Sequence, residues 1–173
     1  MRHKMLAVLL LLPWMLAAQE NIAKSLQAGW QRSKTQIMEL AEAMPEGKFG
    51  FKPTEGQRTF GEQLVHLAEA NLNLMHVIAG TKASKAAPPT AKAEILKAVA
   101  ESFEFGDATL AKLTDAAAVE AFKVGPNETT RLRVAIGAMT NCSNHYGQLV
   151  VYLRLNGIVP PSTARQQQRQ PPR

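Results

Sequence analysis

The residues of this chain best suited to proton transfer or metal binding are its histidines: His3, His66, His76 and His145. A neutral imidazole offers one nitrogen lone pair, and it is a preferred ligand for zinc and nickel. His76 follows His66 by ten residues. At 100° per residue that is about 80° around a helix, so the two do not share a face and His76 is expected at least partly exposed. His66 and His145 sit on or beside the apolar stripes of two different helices. Facing side chains on separate helices are how bundles build metal and cofactor sites. The plainer reading is a pair of core histidines with satisfied hydrogen bonds, and spacing alone leaves both open. No Gly-rich phosphate loop, serine nucleophile elbow or His-Glu-x-x-His pair is present.

Four helices are needed to hold these side chains. In 20–44, Ile22, Leu26, Trp30, Ile37, Leu40, Ala41 and Met44 recur at steps of three and four, which predicts one buried seam. Pro45-Glu46-Gly47 ends that helix, and Phe49 and Phe51 follow in a loop expected to pack on the bundle end. Thr59-Phe60-Gly61-Glu62 has the form of a capping box and opens a second helix running to about Ile78, closed by Gly80. After a loop ending in Pro88-Pro89, a third helix is expected from Ala91 to about Leu113. Gly106 inside it marks a bend or a close approach. Residues 114–125 read as an irregular connection, with Val119 and Phe122 available to pack. The last helix is expected to start near Pro126, capped by Asn127 or Thr129, and to bury Ala138, Cys142, His145, Leu149, Tyr152 and Leu153. Asn156-Gly157 and then Pro160-Pro161 stop it. No stretch alternates with period two over a useful length, so no sheet is expected. The fold class is all-α, a four-helix bundle.

Length and composition agree with one domain: 173 residues, 46% of them apolar. Arg2 and Lys4, the apolar run Met5 to Leu16 and Ala17-Ala18-Gln19 have the charge order and length of a secretory signal peptide over 1–19. That run is short for a membrane span, which needs roughly 20 residues. The protein is therefore expected to be exported, periplasmic or secreted, with no membrane attachment after cleavage. Residues 20–161 form the domain. The tail 162–173 is rich in Gln, Arg and Pro and is expected to be disordered. Arg2 and Lys4 account for two of the six net positive charges. No Lys/Arg stripe with stacking aromatics remains, which argues against a nucleic-acid groove. Cys142 is the single cysteine, so no intrachain disulfide can form.

Two segments carry a family likeness. Arg58-Thr59-Phe60-Gly61-Glu62-Gln63-Leu64-Val65-His66-Leu67-Ala68 and His145-Tyr146-Gly147-Gln148-Leu149-Val150-Val151-Tyr152-Leu153-Arg154-Leu155-Asn156-Gly157 resemble the DinB-like superfamily, over about 20–161. The second motif is the more specific. The resemblance implies an up-down-down-up bundle with a long crossover connection. It also implies a divalent-metal site of three histidines, one on helix two and a pair four residues apart on helix four. Members include thiol-dependent transferases and isomerases. His66 matches the helix-two ligand and His145 the second of the pair, but position 141 is Asn141 where the first would stand. Residues four apart share a helix face, so Asn141 still points inward, with an amide oxygen that suits zinc or nickel poorly.

Neighbouring residues offer partial compensation. Cys142 would be a strong zinc ligand as a thiolate, although a small buried hydrophobe is the plainer reading. Glu69 could add a carboxylate or simply face solvent. Gln148 could orient the His145 ring. The expectation is thus an exported DinB-like protein whose altered site of His66, His145 and Asn141 binds Zn, Ni or Mn and activates a thiol or water on a small molecule. The alternative is a metal-free helical binding or stress-related protein that keeps the fold, with His145 hydrogen-bonded to Asn141 or Tyr146. Homodimerisation through a helix face stays open.

Overall fold

A computed structural model of the chain describes residues 21–84 and 87–169. The expected signal peptide, 1–19, lies outside the described residues, as does the end of the tail. The elements in order are α1 (Ile22–Ala43), a 3-10 turn (Glu46–Lys48), α2 (Phe60–Ala79), α3 (Lys92–Leu110), α4 (Asp115–Val119), β1 (Ala121–Val124), β2 (Asn127–Thr130), α5 (Arg131–Leu155) and α6 (Pro161–Arg169). None of the described helices is long and apolar enough to cross a membrane.

The predicted seams are the buried faces. Trp30, Ile37 and Leu40 of α1, Phe60, Leu64, Leu67 and Met75 of α2, Val99 and Phe103 of α3, and Leu149 and Leu153 of α5 form one fully buried core. Burying each such side chain is worth about 1.5–3 kcal/mol, which is why four amphipathic helices close around a single seam. Each of the four long helices packs against two others: α1 against α3 and α5, α2 against α3 and α5. Long-range bonds give the relative directions. The Tyr152 hydroxyl near the end of α5 donates to the Arg58 carbonyl just before α2 (2.6 Å), and Arg131 at the start of α5 reaches the Ile78 carbonyl at the end of α2. The two helices therefore run antiparallel. Gln27 of α1 meets the Leu110 carbonyl and Lys92 meets the Met44 carbonyl, so α1 and α3 are antiparallel too.

Three expectations need correction. A sheet does exist, a two-stranded antiparallel hairpin pairing Ala121 with Thr130 and Val124 with Asn127. Its strands are four residues long, too short for alternation to register. The Gly125-Pro126 loop, with Gly125 at φ 60°, fits a hairpin in which the first loop residue is glycine. The hairpin takes Asn127 and Thr129 out of the helix, so the cap of α5 is Thr130, whose hydroxyl accepts from the Arg133 amide (3.2 Å). The connection before it is also less irregular than expected. Thr114 caps the short α4, Ala118 is buried, and Val119 is half-exposed rather than packed.

The third correction concerns the tail. Residues expected to be disordered include helix α6, which begins at Pro161. Proline stops α5 but suits the first turn of a new helix, where its missing N–H would have no partner anyway. Polar contacts dock α6: the Tyr146 hydroxyl bonds Ser162 (2.7 Å), and Arg165 pairs with Glu39 (2.8 Å). Composition carries no record of such specific polar docking.

Candidate functional site

The site lies in the seam between α2 and α5. The start of α2 is fixed from both sides. The Phe60 and Gly61 amides donate to the carbonyls of Phe51 and Phe49 (both 2.9 Å), and Thr59 and Glu62 form the reciprocal capping box. A Cβ on Gly61 would come within 3.1 Å of Ile95, so glycine lets the Phe49 loop and α3 close against this turn. Two turns further on, His66 meets His145 across the seam, with ring centroids 5.4 Å apart and planes tilted by 58°. His145 is 6% exposed and His66 half-buried. Asn141 lies one turn before His145 on α5.

Side-chain polar atoms in this seam are under-satisfied. Among the described residues, the buried side-chain atoms without a hydrogen-bond partner are Gln63 Oε1, Asn141 Nδ2 and His145 Nδ1. They stand at successive levels of the seam: Gln63 one turn before His66 and level with Gln148, and Asn141 one turn to the other side of the His66–His145 pair. Leaving a buried polar atom unpaired costs about 1–3 kcal/mol. Three together rival a sizeable part of a domain's net stability of about 5–15 kcal/mol. A polar partner for these atoms, an ordered water or a bound ion, would offset that cost.

His66 also opens on a cleft of about 500 Å³. Arg58, Thr59, Glu62 and Glu69 line it on the α2 side, and Pro88-Pro89-Thr90 and Ile95 close the other. Glu69 is exposed at its edge. His145 is buried in the seam, and of the two histidines His66 is the one that lines the cleft.

The chain matches the DinB family over residues 17–172. It belongs to the DinB family. Similar solved structures include a DinB-like protein of Bacillus cereus (TM-score 0.69, 15% identity, covering 80% of this chain and 95% of that one). A DinB-like protein of Bacillus subtilis, YjoA, is similar at TM-score 0.64 and 21% identity, covering 77% and 92%. A conserved protein of Enterococcus faecalis is similar at TM-score 0.63 and 12% identity, covering 79% and 97%. At these identities the likeness concerns the fold. No curated protein matches the sequence.

The electrostatics of this DinB site favour a neutral imidazole. Burial, then His66, then Arg58 hold the His145 pKa below its usual value. An unprotonated ring has a lone pair for a cation, and Nδ1 has no hydrogen bond to occupy it. A half-turn of the Asn141 amide places its oxygen where the unpartnered nitrogen lies, turning a donor into a ligand for a hard cation. The donors offered to a divalent ion would be two imidazoles and one amide oxygen. No three His, Cys, Asp or Glu side chains cluster around one point among the described residues, so a DinB metal here would rely on Asn141 or on a bound molecule for further ligands.

The depressed His145 pKa also has a sign for stability. Between its ordinary value near 6.5 and its lower folded value, the unfolded chain binds more protons than the folded one. Stability is thus complete above about pH 6.5 and falls as pH drops through this window. Thermal unfolding between about pH 7.5 and 5.5 should show the fall in the metal-free protein, and His145→Gln should flatten it.

Several neighbours take other roles. Cys142 does not compensate for Asn141: its Sγ points to Asn71 Oδ1 (3.4 Å), away from the histidine pair. Burial pushes its thiol up to about 12, so a thiolate ligand is disfavoured. A thiol reagent such as a disulfide dye should leave Cys142 unmodified in the native protein at pH 8 and react fully after unfolding in guanidinium. Rapid native labelling would contradict the burial. Gln148 does not orient His145; its Oε1 accepts from Gln63 Nε2 (2.8 Å), tying α2 to α5. Tyr146 bonds Ser162, so neither it nor Asn141 satisfies the His145 ring. His76 is half-buried against Phe105 and bonds Thr81 (2.6 Å), outside the site. Gln63 and Arg58 were missed as site residues. Gln63 was findable, because it precedes His66 by one helical turn.

Proposed function

We propose that this DinB protein is an exported metal-binding bundle in which His66, His145 and Asn141 hold a divalent ion, Zn, Ni or Mn, and act on a small molecule in the adjoining cleft. In this reading the four long helices run up-down-down-up. The connection 80–91 then crosses back along the bundle, since about a dozen residues at roughly 3.3–3.6 Å each span the length of a 20-residue helix of about 30 Å. The observation that carries the reading is the unpartnered His145 Nδ1 in a buried ring facing His66, with the Asn141 Nδ2 also unpartnered one turn away.

When bound, the ion would supply Lewis-acid activation of a water or thiol by lowering its pKa. The protein's own residues supply the rest. His145, held neutral on the seam floor, keeps its ligand nitrogen free of protons. Gln63 and Gln148 fix the spacing of α2 and α5 around the pair. Half-buried His66 lines the cleft while its partner His145 is buried, so a substrate in the cleft would meet His66 first.

The test is metal content. The mature chain is incubated with Zn²⁺, Ni²⁺ or Mn²⁺, dialysed and assayed by elemental analysis. Stoichiometric metal is expected in the wild type and loss in His66→Ala and His145→Ala. Substoichiometric metal unchanged by both substitutions would sink the reading and leave the metal-free alternative.

A further inference from the structure

We infer that the cleft beside His66 takes a small molecule with an apolar body and one carboxylate, and that Arg58 binds the carboxylate. This deepens the metal-site reading and rests on it only for the location of the chemistry. Arg58 and His66 line the same cleft, whose walls are otherwise largely apolar: Phe49, Val65, Ile95 and Pro88-Pro89. The backbone of Arg58 is clamped, because its carbonyl accepts from the Tyr152 hydroxyl of α5 (2.6 Å). Its side chain is exposed and makes no ion pair among the described residues. An anchored backbone carrying an exposed guanidinium outside any ion pair can receive an anion, and the planar fork matches a carboxylate bidentately.

The two acids of the cleft do not remove this vacancy. The Glu62 carboxylate accepts from the Thr59 amide (2.7 Å) as half of the capping box, and that bond is the first cause of its lowered pKa, with the Arg58 charge the last. Glu69 lies nine residues beyond Phe60, the first residue of the helix, about 13 Å along it at 1.5 Å per residue. It makes the far end of the cleft unfavourable for a second negative charge. A monocarboxylate oriented toward Arg58 is therefore favoured over a dianion.

Arg58 is also one of the charges that hold the His145 ring neutral, after burial and His66.

The test uses 4-fluorobenzoate and its uncharged counterpart 4-fluorobenzamide, followed by fluorine NMR line broadening on the mature chain, with and without Zn²⁺. The benzoate is expected to bind at millimolar concentration or below and at least about tenfold more tightly than the amide. Arg58→Gln should erase that preference, while Arg154→Gln, on the exposed face of α5, should keep it. Metal content of Arg58→Gln is measured in parallel. A preference that depends on Arg58 in a chain that takes up no metal would uphold this inference and sink the metal reading. Equal binding of both probes, no binding of either at millimolar concentration, or a preference surviving in Arg58→Gln would overturn the inference, whatever the metal content.

Discussion

Replacing His145 with alanine is expected to abolish the stabilisation that divalent metal gives the wild-type protein. An ion present at a hundredfold excess over its Kd stabilises the native state by about 2.7 kcal/mol. For a domain of this size each kcal/mol raises Tm by about 2–4 °C, so the wild type should gain about 5–11 °C on metal addition. His145→Ala should gain nothing. The comparison is between metal-loaded and metal-free samples of each variant. That matters because alanine also leaves a cavity on the seam floor and relieves one unpartnered nitrogen, and both change the metal-free Tm. His66 should behave alike.

Position 141 provides the opposite sign. Asn141→His places an imidazole one turn before His145, on the same face. It should tighten zinc or nickel binding by on the order of tenfold or more, equivalent to about 1.4 kcal/mol per factor of ten. An Asn141→His variant no tighter than wild type would show that the layer does not coordinate metal through this position. Isothermal titration with each ion makes the measurement.

The second large effect is structural. Trp30→Ala should destabilise the protein by about 3–5 kcal/mol, the usual range for emptying a buried tryptophan site. Trp30 is fully buried, packs against Phe103 with ring centroids 4.8 Å apart and planes tilted by 50°, and donates its indole N–H to the Phe103 carbonyl (3.0 Å). Its ring occupies the notch that Gly106 leaves on α3, where a Cβ would fall inside van der Waals contact with the indole. Gly106→Ala should therefore destabilise by about 1–3 kcal/mol, although alanine is favoured in a helix interior by roughly 1 kcal/mol. The indole cannot retreat from a filled core. Combining Gly106→Ala with Trp30→Phe should recover part of the loss, with a coupling of about 0.5–3 kcal/mol typical of residues in contact. Additive losses in chemical denaturation would mean that the two residues do not share the notch.

The same pair illustrates what a linear reading can and cannot deliver. Gly106 stands out in a helical pattern because glycine weakens a helix, so a bend or a close approach was the natural expectation. Choosing between them required the ring from α1 that fills its notch. The hairpin at 121–130 escaped because four-residue strands are shorter than the window in which alternation can be seen. The α6 helix escaped because its composition is polar and its docking depends on two partners, Tyr146 and Glu39, far away in the chain.

For the candidate site the division is similar. Periodicity placed Cys142, His145 and Leu149 on one inward face of α5, and the motif around His66 pointed to its partner helix. Those are local properties, set by 3.6 residues per turn and by capping residues beside each helix. Periodicity also made Cys142 and Gln148 look like equals of His145. Only the tertiary structure turned the thiol toward Asn71, gave Gln148 to Gln63, left His145 Nδ1 unpartnered and set the two imidazoles 5.4 Å apart. The physical reason is that distance and rotation between two helices come from the packing of the whole core. A helical pattern fixes which way a side chain faces, whereas what it meets there depends on every residue that decides how close the next helix can come.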